Sequence, residues 1–153
     1  RGAKEAGARV EKIFLGDYDI KFFQEADEQH VGDSADVARD DAPMIVRKML
    51  EADIIVLASP VYFMNINGQL KTLIDRTYSH FMDLKNKEFY YITACADNAE
   101  STADFAITGF RGFVMCLPNP TERGMIKAIG LGRKGSGKGT KFMQQAYKMG
   151  KGV

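Results

Sequence analysis

Cysteine is nearly missing from this chain: its 153 residues hold two, Cys95 and Cys116, without a CxxC spacing. Two such residues cannot build a disulfide framework, and their scarcity suits a reducing compartment, so a cytoplasmic location is expected. An excess of either charge is missing as well. Twenty-one basic residues stand against 20 acidic ones, a formal charge of +1. That balance supplies no overall electrostatic case for a nucleic acid or an anionic membrane as partner. No apolar run approaches the roughly 20 residues of a membrane span, no stretch reads as a signal peptide, and no internal repeat is visible. A chain of this length is expected to form one domain over residues 1–153, burying about two thirds of the surface its unfolded form exposes.

What is present is organised around residues 54–76, IIVLASPVYFMNINGQLKTLIDR. Ile54, Ile55, Val56, Leu57 and Ala58 are consecutive apolar residues rich in β-branched side chains, the pattern of a parallel strand buried on both faces. Ser59 and Pro60 are expected to end it. After the loop Val61-Tyr62-Phe63-Met64, Asn65 can cap a helix on which Leu70, Leu73 and Ile74 form one apolar stripe. Ligands of open parallel sheets bind beyond the carboxyl ends of the strands, so this loop is the first candidate site.

The remaining chain alternates strand and helix. Residues 1–7 read as the end of a helix stopped by Gly7. Residues 8–15 read as a strand whose apolar members are Val10, Ile13, Phe14 and Leu15. Residues 24–41 set Glu25, Asp27, Glu28, Asp33, Asp36, Asp40 and Asp41 against a single Arg39, the composition of a solvated loop. His30 within it reads as a surface histidine, since a lone His lacks the further ligands of a metal site. Asp41-Ala42-Pro43 starts a helix that turns Ile45, Val46, Met49 and Leu50 toward the sheet. Residues 88–94 form another buried strand, and Ala94-Cys95-Ala96-Asp97-Asn98 at its carboxyl end is the second candidate loop. Ser101 can cap a helix carrying Ala106, Phe110, Phe113 and Val114 on one face, and residues 116–120 break it. Residues 125–131 read as a weaker last strand and residues 141–149 as a closing helix stopped by Gly150. The alternation argues for an α/β fold with a doubly wound parallel sheet. Cys95 reads as a contact residue rather than a redox thiol, and Cys116 as a small apolar group. His80 has no Ser or Asp partner at a recognisable spacing, so no nucleophilic triad can be assembled.

SPVYFMNINGQLKTLIDR also resembles the S-P-V-Y-x-x-N-x-x-x-x-L-K-x-x-I-D-R signature of the flavodoxin-like NAD(P)H-dependent FMN reductases, a family that includes quinone reductases and iron-sulfur flavoproteins. Residues 86–97 and 124–153 are similar to that family too. The resemblance implies a flavodoxin-like fold, FMN as cofactor, NADH or NADPH as co-substrate, and oxidoreductase activity toward a quinone, a flavin or another small acceptor. It further implies that Ser59, Pro60, Val61, Tyr62, Phe63, Met64 and Asn65 touch the flavin ring, with Ala94, Cys95, Ala96 and Asp97 at its other side. The residue types fit that role. Pro60 and the turn leave backbone N–H groups outside the ladder, in need of acceptors that an isoalloxazine edge offers, and Tyr62 or Phe63 can supply a flat apolar wall. The cofactor would carry the redox chemistry, so no catalytic acid, base, nucleophile or metal ligand is assigned. Iron-sulfur members carry a cysteine cluster in the region of residues 24–41, where this chain has no cysteine, leaving no ligands for a cluster there. Asp75 and Arg76 read as structural, a helix-end charge pair or an interface contact.

The alternative is a flavodoxin-like electron carrier or protein-binding module without NAD(P)H turnover, although such carriers tend to be strongly acidic and this chain is near neutral. Family members are commonly dimers or tetramers, so a homo-oligomer is expected, with Thr77-Tyr78-Ser79-His80-Phe81-Met82 at or near the contact. The run from Gly132 to Thr140, GRKGSGKGT, mimics a phosphate loop, but only 13 residues follow it. A phosphotransferase needs later strands for its magnesium and base-side machinery, so a mobile tail loop near the active site or a neighbouring subunit is expected instead. In the resembling family a first strand, a phosphate-binding loop and most of a helix precede the position of Arg1. The natural protein is therefore expected to be longer by one β-α unit, and the 153 residues alone to bind FMN weakly or not at all.

Overall fold

In the computed structural model, which describes residues 1–24, 40–133 and 135–153, the central strand β1 is Ile54–Tyr62. It runs parallel to β3 (Glu88–Ala94), with Ile54 opposite Glu88 and Pro60 opposite Ala94. β3 in turn runs parallel to β4 (Thr121–Ala128). The two-residue β2 (Asn65–Ile66) folds back antiparallel on the end of β1, giving the four-stranded order β2-β1-β3-β4. Helices lie on both faces. On one, Tyr91 of β3 stacks on Phe110 of α4 (Glu100–Val114) with ring centroids 5.3 Å apart. The same core takes Ile45, Val46 and Met49 from α2 (Ala42–Glu51) and Leu70 and Leu73 from α3 (Gly68–Arg76). Each such side chain contributes roughly 1.5–3 kcal/mol when fully buried. On the other face, α5 (Lys141–Lys151) covers β3 and β4: a Cβ on Gly124 would lie 3.4 Å from Met149 Sδ and 3.6 Å from the Tyr90 ring. α1 (Gly2–Glu5) packs on α5. Among the described residues no helix is long and apolar enough to cross a membrane.

The α/β alternation and the parallel ladder agree with the sequence reading, and β3 occupies residues 88–94 as expected. Several details differ. Residues 8–14 form no strand, because none of them finds a ladder partner among the described residues; Leu15–Asp17 is a short 3-10 turn instead. β1 is not buried on both faces: Ile55, Leu57 and Ser59 are buried while the alternate Val56 is 52% exposed. Nor does it stop at Ser59. It continues through Pro60 to Tyr62, which is tolerable because, among the described residues, 54–60 have β3 on one side only, and an N–H missing from an open edge costs no ladder bond.

The cap of α3 is Asn67 rather than Asn65; its side chain accepts from Leu70 N–H at 3.2 Å. Ser101 caps nothing, since α4 begins at Glu100. The last ladder is Thr121–Ala128 rather than residues 125–131. Gly150 does not stop α5, which runs to Lys151. It is small because α1 crosses there: a Cβ on Gly150 would sit 2.9 Å from Ala3 N, and one on Gly2 2.2 Å from the Tyr147 carbonyl oxygen. The expectations for residues 25–39, His30 included, lie outside the described residues.

Candidate functional site

The carboxyl ends of β1, β3 and β4 lie along one edge of the sheet, and the two candidate loops leave it side by side. Ser59 is opposite Thr93 and Pro60 opposite Ala94. Beyond that pair the loops diverge. The first becomes the β1–β2 hairpin, on the side of β1 away from β3. The second bends over β4, with Cys95 N–H donating to Ala128 O at 3.0 Å. Pro60 and Ala94 are left between them.

The hairpin is a tight two-residue turn. Val61 pairs with Ile66 and Tyr62 with Asn65, and Phe63 and Met64 between them have φ of 47° and 63°. Two positive φ values in a row define the turn that Asn-Gly usually makes. Carrying Phe and Met there is strained, and strain of this kind is retained where the surroundings or the function require it. Its apolar side chains do not repay the strain by burial: Phe63 is fully exposed and Tyr62 is 60% exposed. The base of the hairpin is firmly held. Buried Ser59 accepts from Asn67 N–H at 2.9 Å and donates to Pro60 O at 2.7 Å, linking β1 to the cap of α3. Asn65 Oδ1 accepts from Ile66 N–H at 2.8 Å, and a Cβ on Gly109 of α4 would lie 3.1 Å from it.

The second loop is held as tightly. Leu131 N–H donates to Cys95 O and Gly130 N–H to Asp97 O, both at 2.7 Å. Asp97 accepts from Ala99 N–H at 3.0 Å and Thr102 Oγ1 at 2.6 Å, so it is this carboxylate, and not Ser101, that orders the entry to α4. The Thr102 hydroxyl, followed by the Ala99 amide, holds its pKa below the usual carboxylate range. Burial pushes the Cys95 thiol up, and the neighbouring Asp97 charge adds to the shift. A buried protonated thiol is not a nucleophile, in line with the reading of Cys95 as a contact residue.

These loops suit a flat, acceptor-rich ring. Among the described residues the backbone N–H groups of Phe63, Met64, Ala96 and Asp97 donate to no protein acceptor, so donors stand on both sides of the Pro60–Ala94 pair. Tyr62 and Phe63 add exposed aromatic surface on one side. The side chains of Ser59, Asn65 and Asp97 are engaged in holding the loops, so what the site offers a ligand is chiefly backbone. Among the described residues, concavities of about 520 and 270 Å3 lie away from these loops, between β4 and α5 and between residues 15–22 and α3. Sequence reasoning missed Asn67, hidden by the better-placed motif residue Asn65, and the Gly130–Gly132 segment. The latter supports the second loop at contact distance, a Cβ on Gly132 lying 3.2 Å from Ala96 Cβ. Only a long-range contact reveals that, so no local pattern announces it.

A profile of the family described as NADPH-dependent FMN reductase matches residues 1–118. An iron-sulfur flavoprotein of Archaeoglobus fulgidus is 42% identical over 74 residues, 48% of this chain and 36% of that protein. An FMN-dependent NADH:quinone oxidoreductase of Bordetella petrii is 31% identical over 121 residues, 71% of this chain and 57% of that protein. The matched part of this chain thus spans about a third of the length of the first of these relatives and little more than half of the second. Among solved structures, an azoreductase from Bacillus anthracis superposes with a TM-score of 0.64 at 16% identity, covering 99% of this chain and 81% of that one, a likeness of fold.

Proposed function

We propose, from the premise that this chain belongs to the NADPH-dependent FMN reductase family, that it forms the flavin-ring site of an FMN-dependent oxidoreductase. Its electrons come from NADH or NADPH and go to a quinone, a flavin or another small acceptor. The observation that carries this reading is the set of unbonded amides at Phe63, Met64, Ala96 and Asp97 around the Pro60–Ala94 pair.

Bound FMN would supply the hydride and electron chemistry. The chain's part is to position it. Backbone N–H groups on the two loops would donate toward the acceptor atoms of the ring, and the aromatic surface of Tyr62 and Phe63 would exclude water from one side. Ser59 and Asn67 hold the first loop, and Asp97 the second, through their own hydrogen bonds, which is how preorganised donors avoid reorganising on binding. Because the cofactor would carry the redox chemistry, no acid, base or nucleophile is assigned. The same reading places the protein in a homo-oligomer, where Tyr78 and Met82, 56% and 61% exposed, face a second copy.

Titration of the natural protein with FMN, followed by steady-state oxidation of NADH and NADPH with a quinone acceptor, tests the proposal. Flavin absorbance that co-purifies or saturates, with turnover above that of free FMN, is expected. Flavin binding without turnover would identify an electron carrier, and neither would remove the reading.

A further inference from the structure

Between the segment 15–22 and the start of α3 lies a cavity of about 270 Å3 that neither candidate loop lines. Leu15, Tyr18 and Ile20 form one wall, packed partly on the core, and Phe22, 80% exposed, stands at the rim. α3 closes the other side with Gly68, Gln69 and Thr72. None of these seven residues carries a charge, so an ion would find nothing there to replace its water. The space is smaller than the roughly 300–1,000 Å3 of sites for drug-sized ligands. One or two rings would fill it.

One polar group in this apolar setting lacks a partner. Thr72 is only 9% exposed, and its hydroxyl makes no hydrogen bond among the described residues. A threonine inside a helix can return its hydroxyl to the carbonyl four residues earlier, as Thr108 does to Asp104 at 2.9 Å. Thr72 does not. Leaving such a group unpaired is costly. The hydroxyls of Tyr91 and Thr93 are also unpartnered, but those oxygens are sealed from solvent. The Thr72 oxygen is not sealed, and its side chain lines the cavity, so a molecule held there can reach it. Gly68 lies one turn before Thr72 on the same face of α3, and a Cβ there would meet nothing within 4 Å. The open space therefore extends along the face that carries the unpaired hydroxyl.

We infer that this cavity is a binding site for a small, uncharged aromatic molecule carrying one hydroxyl or carbonyl oxygen, with Thr72 as its hydrogen-bonding partner. The inference goes beyond the flavin reading and does not rest on it. The apolar and aromatic walls take the ring. The Thr72 hydroxyl, able to donate or to accept, fixes which end of the molecule points inward. The site borders the proposed flavin edge without sharing a residue with it: Asn67, the cap of α3 immediately before Gly68, donates its backbone N–H to Ser59 at 2.9 Å.

The test uses 1-naphthol, naphthalene and 1-naphthoate as probes, titrated by calorimetry into the natural protein and two variants of it. Thr72→Val keeps the shape of the side chain and removes the hydroxyl, while Gly68→Leu fills space that a side chain can enter without a clash. The native protein is expected to bind 1-naphthol roughly three- to tenfold more tightly than naphthalene, and both more tightly than the charged 1-naphthoate. Thr72→Val should bring 1-naphthol down to the affinity of naphthalene and leave naphthalene unchanged. Gly68→Leu should lose both probes while taking up FMN as the native protein does. Equal affinity of the native protein for 1-naphthol and naphthalene, binding of neither, or a Thr72→Val protein that still prefers 1-naphthol would overturn the assignment. So would 1-naphthol binding that FMN abolishes and Gly68→Leu spares, which would move the probe to the flavin edge. Because the probe titrations need neither flavin nor turnover, a protein that binds 1-naphthol through Thr72 and oxidises no NADH or NADPH keeps the inference and loses the oxidoreductase reading; turnover without a 1-naphthol site does the reverse.

Discussion

Arg76 at the end of α3 and Asp40 just before α2 form an ion pair sealed from solvent, with side chains 6% and 0% exposed. The pair links two helices from distant parts of the sequence. Asp40 also accepts from Lys21 N–H at 2.8 Å and Ala42 N–H at 3.0 Å, and Arg76 donates to Lys21 O at 3.1 Å. Both charges thus have several partners, the condition under which burying them is tolerable. Replacing Arg76 by Met strands the carboxylate. A loss of about 3–5 kcal/mol is expected, read as a lower midpoint in urea at unchanged slope. A shift under about 1 kcal/mol would mean that the pair is solvated in solution.

The same carboxylate sets an acid limit. Burial works against the charged form of Asp40, but the bonds from Lys21 N–H, Arg76 and Ala42 N–H outweigh it and leave the pKa below the usual value. A folded pKa below the unfolded one gives stability that is fully present above the unfolded value, about 3.9, and is lost as pH falls through the lower folded value. Stability is therefore expected to fall steeply below about pH 4. Asp40→Asn should be less stable at neutral pH with a flatter acid limb. Thermal melts from pH 7 to 3 on both proteins measure the difference, and parallel curves would exclude Asp40 as its source.

Where local chemistry decides, the sequence was readable. Five consecutive apolar residues at 54–58 and FYYIT within 88–94 marked two parallel strands, though only alternate residues of the first are buried, and the spacing of Ala106, Phe110, Phe113 and Val114 marked the buried face of α4. Where two distant segments decide, it was not. A strand over residues 8–15 depends on a neighbour to bond with, and Val10 and Phe14 are instead 40% and 63% exposed. Asp75 and Arg76 read as structural, a helix-end charge pair or an interface contact; structural they are, but with separate partners, Asp75 taking Lys71 one turn earlier and Arg76 taking Asp40. Both candidate loops were named from the strand ends alone, because the carboxyl edge of a parallel sheet is fixed by topology. Their fixing bonds, Ser59 with Asn67 and Cys95 with Leu131, join residues whose proximity no local pattern encodes.

Gly150 provides a third test. A methyl group there would come within 2.9 Å of the backbone nitrogen of Ala3, and backbone cannot rotate away as a side chain can. Gly150→Ala improves intrinsic helix propensity by about 1 kcal/mol, so a protein in which α1 did not touch α5 would gain stability. Contact predicts the opposite sign, a net loss of about 1–3 kcal/mol from overpacking. Differential scanning calorimetry separates the two by the direction in which Tm moves.

Tyr78 and Met82 project from the turn after α3, while Phe81, stacked on Tyr78 at 6.0 Å, packs partly on the core. A second copy seated on them would bury aromatic and Met surface of the kind enriched at interface centres. Tyr78→Glu/Met82→Glu is expected to shift sedimentation at micromolar concentration from dimer or tetramer to monomer without altering the melting of the monomer. A native protein that sediments as a monomer would refute the contact.

The Phe63–Met64 turn sets stability against binding. Its two positive φ values, 47° and 63°, suit Asn-Gly far better than Phe-Met, and Phe63 recovers nothing from packing because it is fully exposed. Phe63→Asn/Met64→Gly should therefore relieve strain while leaving the Val61–Ile66 and Tyr62–Asn65 pairs in register. A residue held in a sparsely populated backbone region costs about 1–3 kcal/mol, so the variant is expected to be more stable by about 1 kcal/mol or more. If the turn is kept only as a link, nothing else should change. If its aromatic surface is the wall of the flavin site, FMN affinity should drop severalfold while the melting temperature rises, a combination that damage to the fold cannot produce. FMN titration by fluorescence quenching, run beside a thermal melt, reads both. A variant that melts higher and binds FMN as tightly as the native protein would show that the hairpin tip takes no part in holding the ring.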